Sequence, residues 1–137
     1  MKLGALILSP SHLSQIIAHV EAGKPHEACG LLGGREGRVE KVYLTENTAH
    51  SPVRYLVAPG QLIYVLIDIE ERGWDLVGIF HSHPAGPPVP SATDVAEAFY
   101  PEAAYIICAP DGQGRWQARA FTIGQGTVTE LSIQIEP

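Results

Sequence analysis

"DLVGIFHSHPAGPPVPSATD", residues 75–94, is the stretch from which the chain is best read. Leu76 to Phe80 form an apolar run of the kind an interior strand shows. The run ends in His81 and His83. In a strand, residues i and i+2 face the same side, about 6 to 7 Å apart. Two imidazoles so placed can lean onto one ion at roughly 2.0 Å, with Ser82 on the other face. Strand ends are also where sheet proteins commonly place ligand sites. Pro84, Pro87, Pro88 and Pro90 then fix φ at four positions and stiffen the connector. That connector delivers Ser91 and Asp94 to the first turn of a helix, where a carboxylate gains from the positive helix end. Ten residues separate His83 from Asp94, so chain reach does not prevent the three side chains from meeting.

Plainer readings compete. Ser91 to Asp94 also reads as a helix cap, with Ser91 capping and Asp94 at the third position in place of the usual Glu. His-x-His alone is a weak signal. The combination is stronger, because three ligand-type side chains sit at the two ends of one stiff connector. Two imidazoles and one carboxylate leave a fourth position open, as a catalytic zinc site needs; structural zinc sites usually close with thiolates. Cys29 and Cys108 lie in apolar runs, "ACGLLGG" and "YIICAP", without C-x-x-C partners. They read as buried thiols in a reducing compartment, neither ligands nor a disulfide. His12 and His19 share a helix face and read as solvated flank residues rather than metal ligands.

The 137 residues suit a single domain spanning 1–137, with one core. Net charge is −6, with no cluster of Lys and Arg, which argues against a nucleic-acid footprint. The apolar start, Leu3 to Leu8, stops at Ser9-Pro10. It is too short for an export signal, and no run is long enough to span a bilayer. The expected setting is cytoplasmic.

Around the histidine strand the pattern predicts a mixed sheet with flanking helices, an α/β fold. Residues 3–8 read as a strand, followed by a helix over 9–23 with Ser9 as cap and Pro10 in the first turn. "CGLLGG", "REG" and "RVEKVYLTE" read as strand, turn and strand. "NTAHSP" is a loop and "VRYLV" a short strand. "APGQLIYVLIDIEERG" is a helix that is apolar nearly all round, so it is expected to be largely buried. "SATDVAEAFY" is a third helix, and three alternating strands finish the chain.

"HSHPAGPPVPSATD", taken with "EACGLLGG" upstream, resembles the motif of the JAMM (MPN-plus) metalloproteases. In that family a Glu precedes a distant His-x-His-Pro and a Ser-x-x-Asp, and each element is matched here in order and spacing. The resemblance implies a cytidine-deaminase-like α/β sandwich and a zinc hydrolase. It makes His81, His83 and Asp94 the zinc ligands, Glu27 the general base and Ser91 the residue that steadies the oxyanion. Nothing local singles out Glu27, whose plain reading is an ordinary loop carboxylate.

The implied substrate is an amide or isopeptide bond at the Gly-Gly tail of a ubiquitin-like or sulfur-carrier protein. The short connectors "NTAHSP" and "PEAAY" speak against the long insertions that select particular ubiquitin chains. The His-x-Glu and Pro-Cys-x-x-Cys signature of deaminases is absent, so deamination is not expected. Three rivals remain. A metal-free scaffold of the same fold typically loses ligands, and none is lost here. A RadC-like DNA-repair protein fits poorly with the acidic balance. A phage-tail peptidase is usually fused to a second hydrolase domain.

Overall fold

Short strands separated by polar turns pair in this chain into one sheet that meets itself. The computed structural model describes residues 4–137. In chain order the elements are β1 (Ala5–Leu8), α1 (Pro10–Gly23), β2 (Cys29–Arg35), β3 (Arg38–Thr45) and α2 (Pro59–Glu71). They continue with β4 (Asp75–Ser82), α3 (Ala92–Ala96), β5 (Ala104–Pro110), β6 (Trp116–Gly124) and β7 (Thr127–Ile135). The strands run in the order β1-β3-β2-β4-β5-β6-β7, and β1 also pairs with β7 to close a barrel. The pairings β1/β3, β1/β7 and β4/β5 are parallel and the rest antiparallel. The mixed sheet with flanking helices is as expected from the pattern.

β4 lies between β2 and β5 and is covered on both faces, which explains its unbroken apolar run. On one face Phe80 packs with Ile16 and Val20 of α1. On the other, Ile79 packs with Val65 and Ile69 of α2. The period of two therefore sends His81 to the α2 side with Ile79, and Ser82 to the α1 side with Phe80. Gly30 of β2 stands opposite Phe80 in register. A β-carbon there would collide with the Phe80 ring and the Tyr43 carbonyl. Gly30→Ala is expected to cost about 2 to 3 kcal/mol through overpacking, read as a lower midpoint in urea with an unchanged slope.

Four expectations need correction. The helix α2 is not largely buried: Val65 and Ile69 are, but Ile63, Tyr64 and Ile67 are 59%, 64% and 51% exposed. The sheet covers only one of its faces. "VRYLV" forms no strand, only an isolated bridge between Asn47 and Val57. The third helix stops at Ala96 rather than Tyr100, and none of its residues is buried. With no buried apolar face, a short helix has little to extend it.

His19 is not a solvated flank residue. Its Nε2 lies 3.0 Å from the carbonyl oxygens of both Cys29 and Thr45. Both partners only accept, so Nε2 carries the proton and ties α1 to β2 and β3. His12 takes part in the α1 cap, accepting from the Ser9 backbone N–H. Of the first strand, Leu3 lies outside the described residues.

Candidate metal centre

Ser82, pointing away from the site, fixes what lies beside it. Its hydroxyl accepts from the Ala28 N–H at 2.8 Å, and its own N–H donates to the Ala28 carbonyl at 3.0 Å. This pair of hydrogen bonds between chain segments sets the entry to β2, and with it Glu27, against the end of β4. The Glu27 backbone is held on its other side too. Its N–H donates to the Ser51 carbonyl at 2.8 Å, and its carbonyl accepts from Asn47 Nδ2 at 2.8 Å.

Beyond β4 the chain stays anchored, because the His83 N–H donates to the Cys108 carbonyl at 2.8 Å. The stiff connector then returns a specific atom to the histidine. The Pro87 carbonyl lies 2.7 Å from His83 Nδ1. A carbonyl only accepts, so Nδ1 carries the proton and Nε2 of the neutral ring presents a lone pair to the site. A histidine bound to a metal is commonly oriented this way.

The cap reading of Ser91 and Asp94 also holds. Ser91 Oγ accepts from the Asp94 N–H at 3.0 Å, and the Ser91 N–H donates to Asp94 Oδ2 at 2.8 Å. The cap does not exclude the ligand geometry; it aims it. Asp94 Oδ2 lies 3.1 Å from His81 Nε2 and 3.1 Å from His83 Nε2, and the two Nε2 atoms are themselves 3.1 Å apart. Donor atoms about 3.3 Å apart are what a tetrahedral ion with bonds of about 2.0 Å requires. The three donors therefore fit a single small divalent ion.

Glu27 stands further back. Its Oε2 is 3.9 Å from His83 Nε2, and its buried Oε1 has no hydrogen-bond partner among the described residues. Glu27, His81 and His83 also form a group whose donor atoms lie within 4.8 Å of one another. The set with Asp94 is the tighter one and leaves the Glu27 carboxylate at its edge. All four side chains are nearly closed to solvent, at 0% for His81, 7% for His83, 8% for Asp94 and 4% for Glu27.

Burial sets the protonation states. It pushes the Glu27 carboxyl up to about 7, with the Asp94 charge adding and His83 opposing. Burial also disfavours ionised Asp94, but hydrogen bonding to both imidazoles and the Ser91 N–H holds its carboxyl well below the usual carboxylate range. His81 is pushed down by burial, more than Asp94 raises it. His83 is also disfavoured by burial, yet Asp94, the Pro87 carbonyl and Glu27 together raise it.

Cys29 and Cys108 are buried free thiols, as expected, raised by burial to about 11 and about 12. Neither is a reactive nucleophile at such values.

Two residues of the site gave no signal in the sequence. Asn47 makes four hydrogen bonds through its side-chain amide. Tyr55 stacks on His81, with ring centroids 4.4 Å apart. Both fall in a stretch read as loop and short strand. An Asn that opens a loop was the only available hint.

Two imidazoles and a carboxylate, open on one side to a buried second carboxylate, are a donor set suited to a metal-dependent hydrolase. The comparisons with known proteins agree. A family model described as prokaryotic homologues of the JAB domain matches residues 9–123. A desampylase of Haloferax volcanii is 36% identical over 143 residues, covering 99% of this chain and 100% of that one. A CysO-cysteine peptidase of Mycobacterium tuberculosis is 33% identical over 132 residues, covering 95% of this chain and 90% of that one. The solution structure of a Desulfitobacterium hafniense protein superposes with a TM-score of 0.85 at 34% identity, covering 96% of this chain and 92% of that one. The chain belongs to the prokaryotic JAB-domain family, hydrolytic enzymes of the JAMM type.

Proposed function

We propose that the protein is a zinc-dependent peptidase or isopeptidase. Its substrate is an amide bond at the C-terminal Gly-Gly tail of a ubiquitin-like or sulfur-carrier protein. The triangle of donors at 3.1 Å, with a buried carboxylate beside it whose Oε1 has no hydrogen-bond partner among the described residues, carries this reading. The names of the relatives, desampylase and CysO-cysteine peptidase, support the substrate class.

His81, His83 and Asp94 would hold the zinc. When bound, zinc lowers the pKa of coordinated water to about 7 and polarises a carbonyl. Glu27, buried and poised near 7, suits both halves of a proton transfer: it takes a proton from water and hands it to the leaving amine. The Ser91 oxygen already accepts from the Asp94 N–H, and a hydroxyl keeps one donor. That O–H is free to meet the oxyanion of the tetrahedral intermediate.

Ser91→Ala is accordingly expected to lower kcat about 100-fold, as loss of one oxyanion donor does elsewhere, while zinc stays bound. The lost cap would cost about 1 kcal/mol of stability. Ser91→Gly would separate the two effects, since glycine is a tolerated cap without a hydroxyl.

A catalytically silent scaffold is the alternative. Every ligand-type residue is present and converges, which favours the enzyme. The two unpaired buried thiols fit a cytoplasmic setting. Among the described residues no helix is long and apolar enough to cross a membrane.

Incubation of the zinc-loaded protein with fusions of candidate ubiquitin-like proteins, followed by mass analysis, tests the function. Release of the moiety after Gly-Gly, blocked by a chelator, is expected. Intact fusions across all candidates would favour the scaffold.

A further inference from the structure

Two of the three donor side chains are fixed by neighbours, Asp94 by the cap and His83 by the Pro87 carbonyl. His81 is the exception. It is fully buried, yet its Nδ1 has no hydrogen-bond partner among the described residues. A metal-binding histidine ordinarily takes its ring orientation and tautomer from a bond at that nitrogen. Without one, the ring's broad terminal torsion is restrained at the Nδ1 side only by packing, and otherwise by the contacts of Nε2 within the site itself.

The packing is specific. The Tyr55 ring lies over the His81 ring, with centroids 4.4 Å apart and planes 20° from parallel. The Tyr55 hydroxyl makes no hydrogen bond among the described residues, so it is the ring face that makes the contact. Tyr55 is itself fastened. Asn47 Nδ2 donates to the Arg54 carbonyl at 3.0 Å, and Asn47 Oδ1 accepts from the Leu56 N–H at 2.9 Å. These bonds bracket Tyr55 on both sides along the chain. The same Nδ2 group donates to the Glu27 carbonyl at 2.8 Å. One buried amide thus ties the tyrosine's segment and the Glu27 segment to a single point.

We propose that Tyr55, held by Asn47, is the positioning residue for His81. Its ring face does for His81 what the Pro87 carbonyl does for His83. It limits the imidazole to the rotation at which Nε2 meets Asp94 Oδ2 and His83 Nε2. This rests on His81 being a ligand. A flat ring is the requirement, so phenylalanine serves as well as tyrosine. Leucine fills much of the space but offers no plane to stack against.

The test is zinc affinity, measured by competition with a chromophoric chelator, for wild type, Tyr55→Phe, Tyr55→Leu and His81→Ala. Metal-free melting temperature and the NMR shifts of the His81 ring protons are read alongside. Tyr55→Phe is expected to bind within about twofold of wild type and to keep the ring-current shift. Tyr55→Leu is expected to lose at least about tenfold in affinity, as loss of an orienting partner does, and to lose the ring-current shift. Tyr55→Leu binding as tightly as wild type, even with a lowered melting temperature, would reduce Tyr55 to a packing residue and overturn the proposal. So would Tyr55→Phe losing as much as Tyr55→Leu, because the hydroxyl would then be what matters. Wild type failing to bind zinc, or His81→Ala binding like wild type, would overturn the ligand assignment, and this proposal with it.

Discussion

Glu27→Gln is expected to lower turnover by about 10³-fold or more, as loss of a general base and acid does, while one equivalent of zinc stays bound. Gln keeps the shape and loses the proton-carrying oxygen. Its amide would sit where Glu27 now stands, 3.9 Å from His83 Nε2 and outside the tighter set of donors. The same substitution separates catalysis from stability in the metal-free protein. Burial raises the Glu27 carboxyl from 4.5 to about 7. Between those values the folded chain holds a proton that the unfolded chain has released. The Glu27 contribution to stability therefore falls as pH rises from about 4.5 to about 7 and levels off above. Glu27→Gln removes that decline, so the metal-free variant should melt several degrees higher than wild type at pH 8, and by less at pH 5. Full activity in the variant would show that the proton is carried elsewhere.

His83→Ala is expected to weaken zinc by more than about 100-fold, a larger loss than removing an orienting partner. It removes one of three donors. It also frees Asp94 Oδ2 from one of its two imidazoles and strands the Pro87 carbonyl. Activity should fall with zinc occupancy. Adding zinc in excess should restore only part of it, because the remaining donors no longer enclose the ion. Chelator competition on the purified variant measures the loss directly; affinity equal to wild type would remove His83 from the ligand set.

Much of this site could be read from the chain, for local reasons. The interior strand announces itself by its apolar run, period two places His81 and His83 on one face, and the prolines fix how the chain returns to Asp94. The sequence reading set cap against ligand for Ser91 and Asp94, whereas the structure shows one arrangement that caps the helix and also sets Asp94 Oδ2 beside both imidazoles. Glu27 was different. Nothing near it in sequence marks it, and only the family resemblance named it. Its placement comes from Ala28 bonding to Ser82, a contact between residues 54 apart in sequence, which no local pattern encodes.

The misreadings share a cause. The α2 helix reads as buried because its apolar residues lie nearly all round, but burial depends on what covers each face, and the sheet covers one. His19 reads as solvated because its carbonyl partners on β2 and β3 are remote in sequence. Tyr55 and Asn47 were unmarked because a loop's role lies in what it packs against. Closure of the sheet through β1 and β7 joins the two ends of the chain, again beyond the reach of local pattern.

X-ray absorption at the zinc edge of the purified, zinc-loaded protein reads the ligand set itself. One zinc per chain is expected, with two imidazole nitrogens and oxygen ligands at about 2.0 Å. A sulfur shell at about 2.3 Å, or a spectrum with no imidazole contribution, would contradict it.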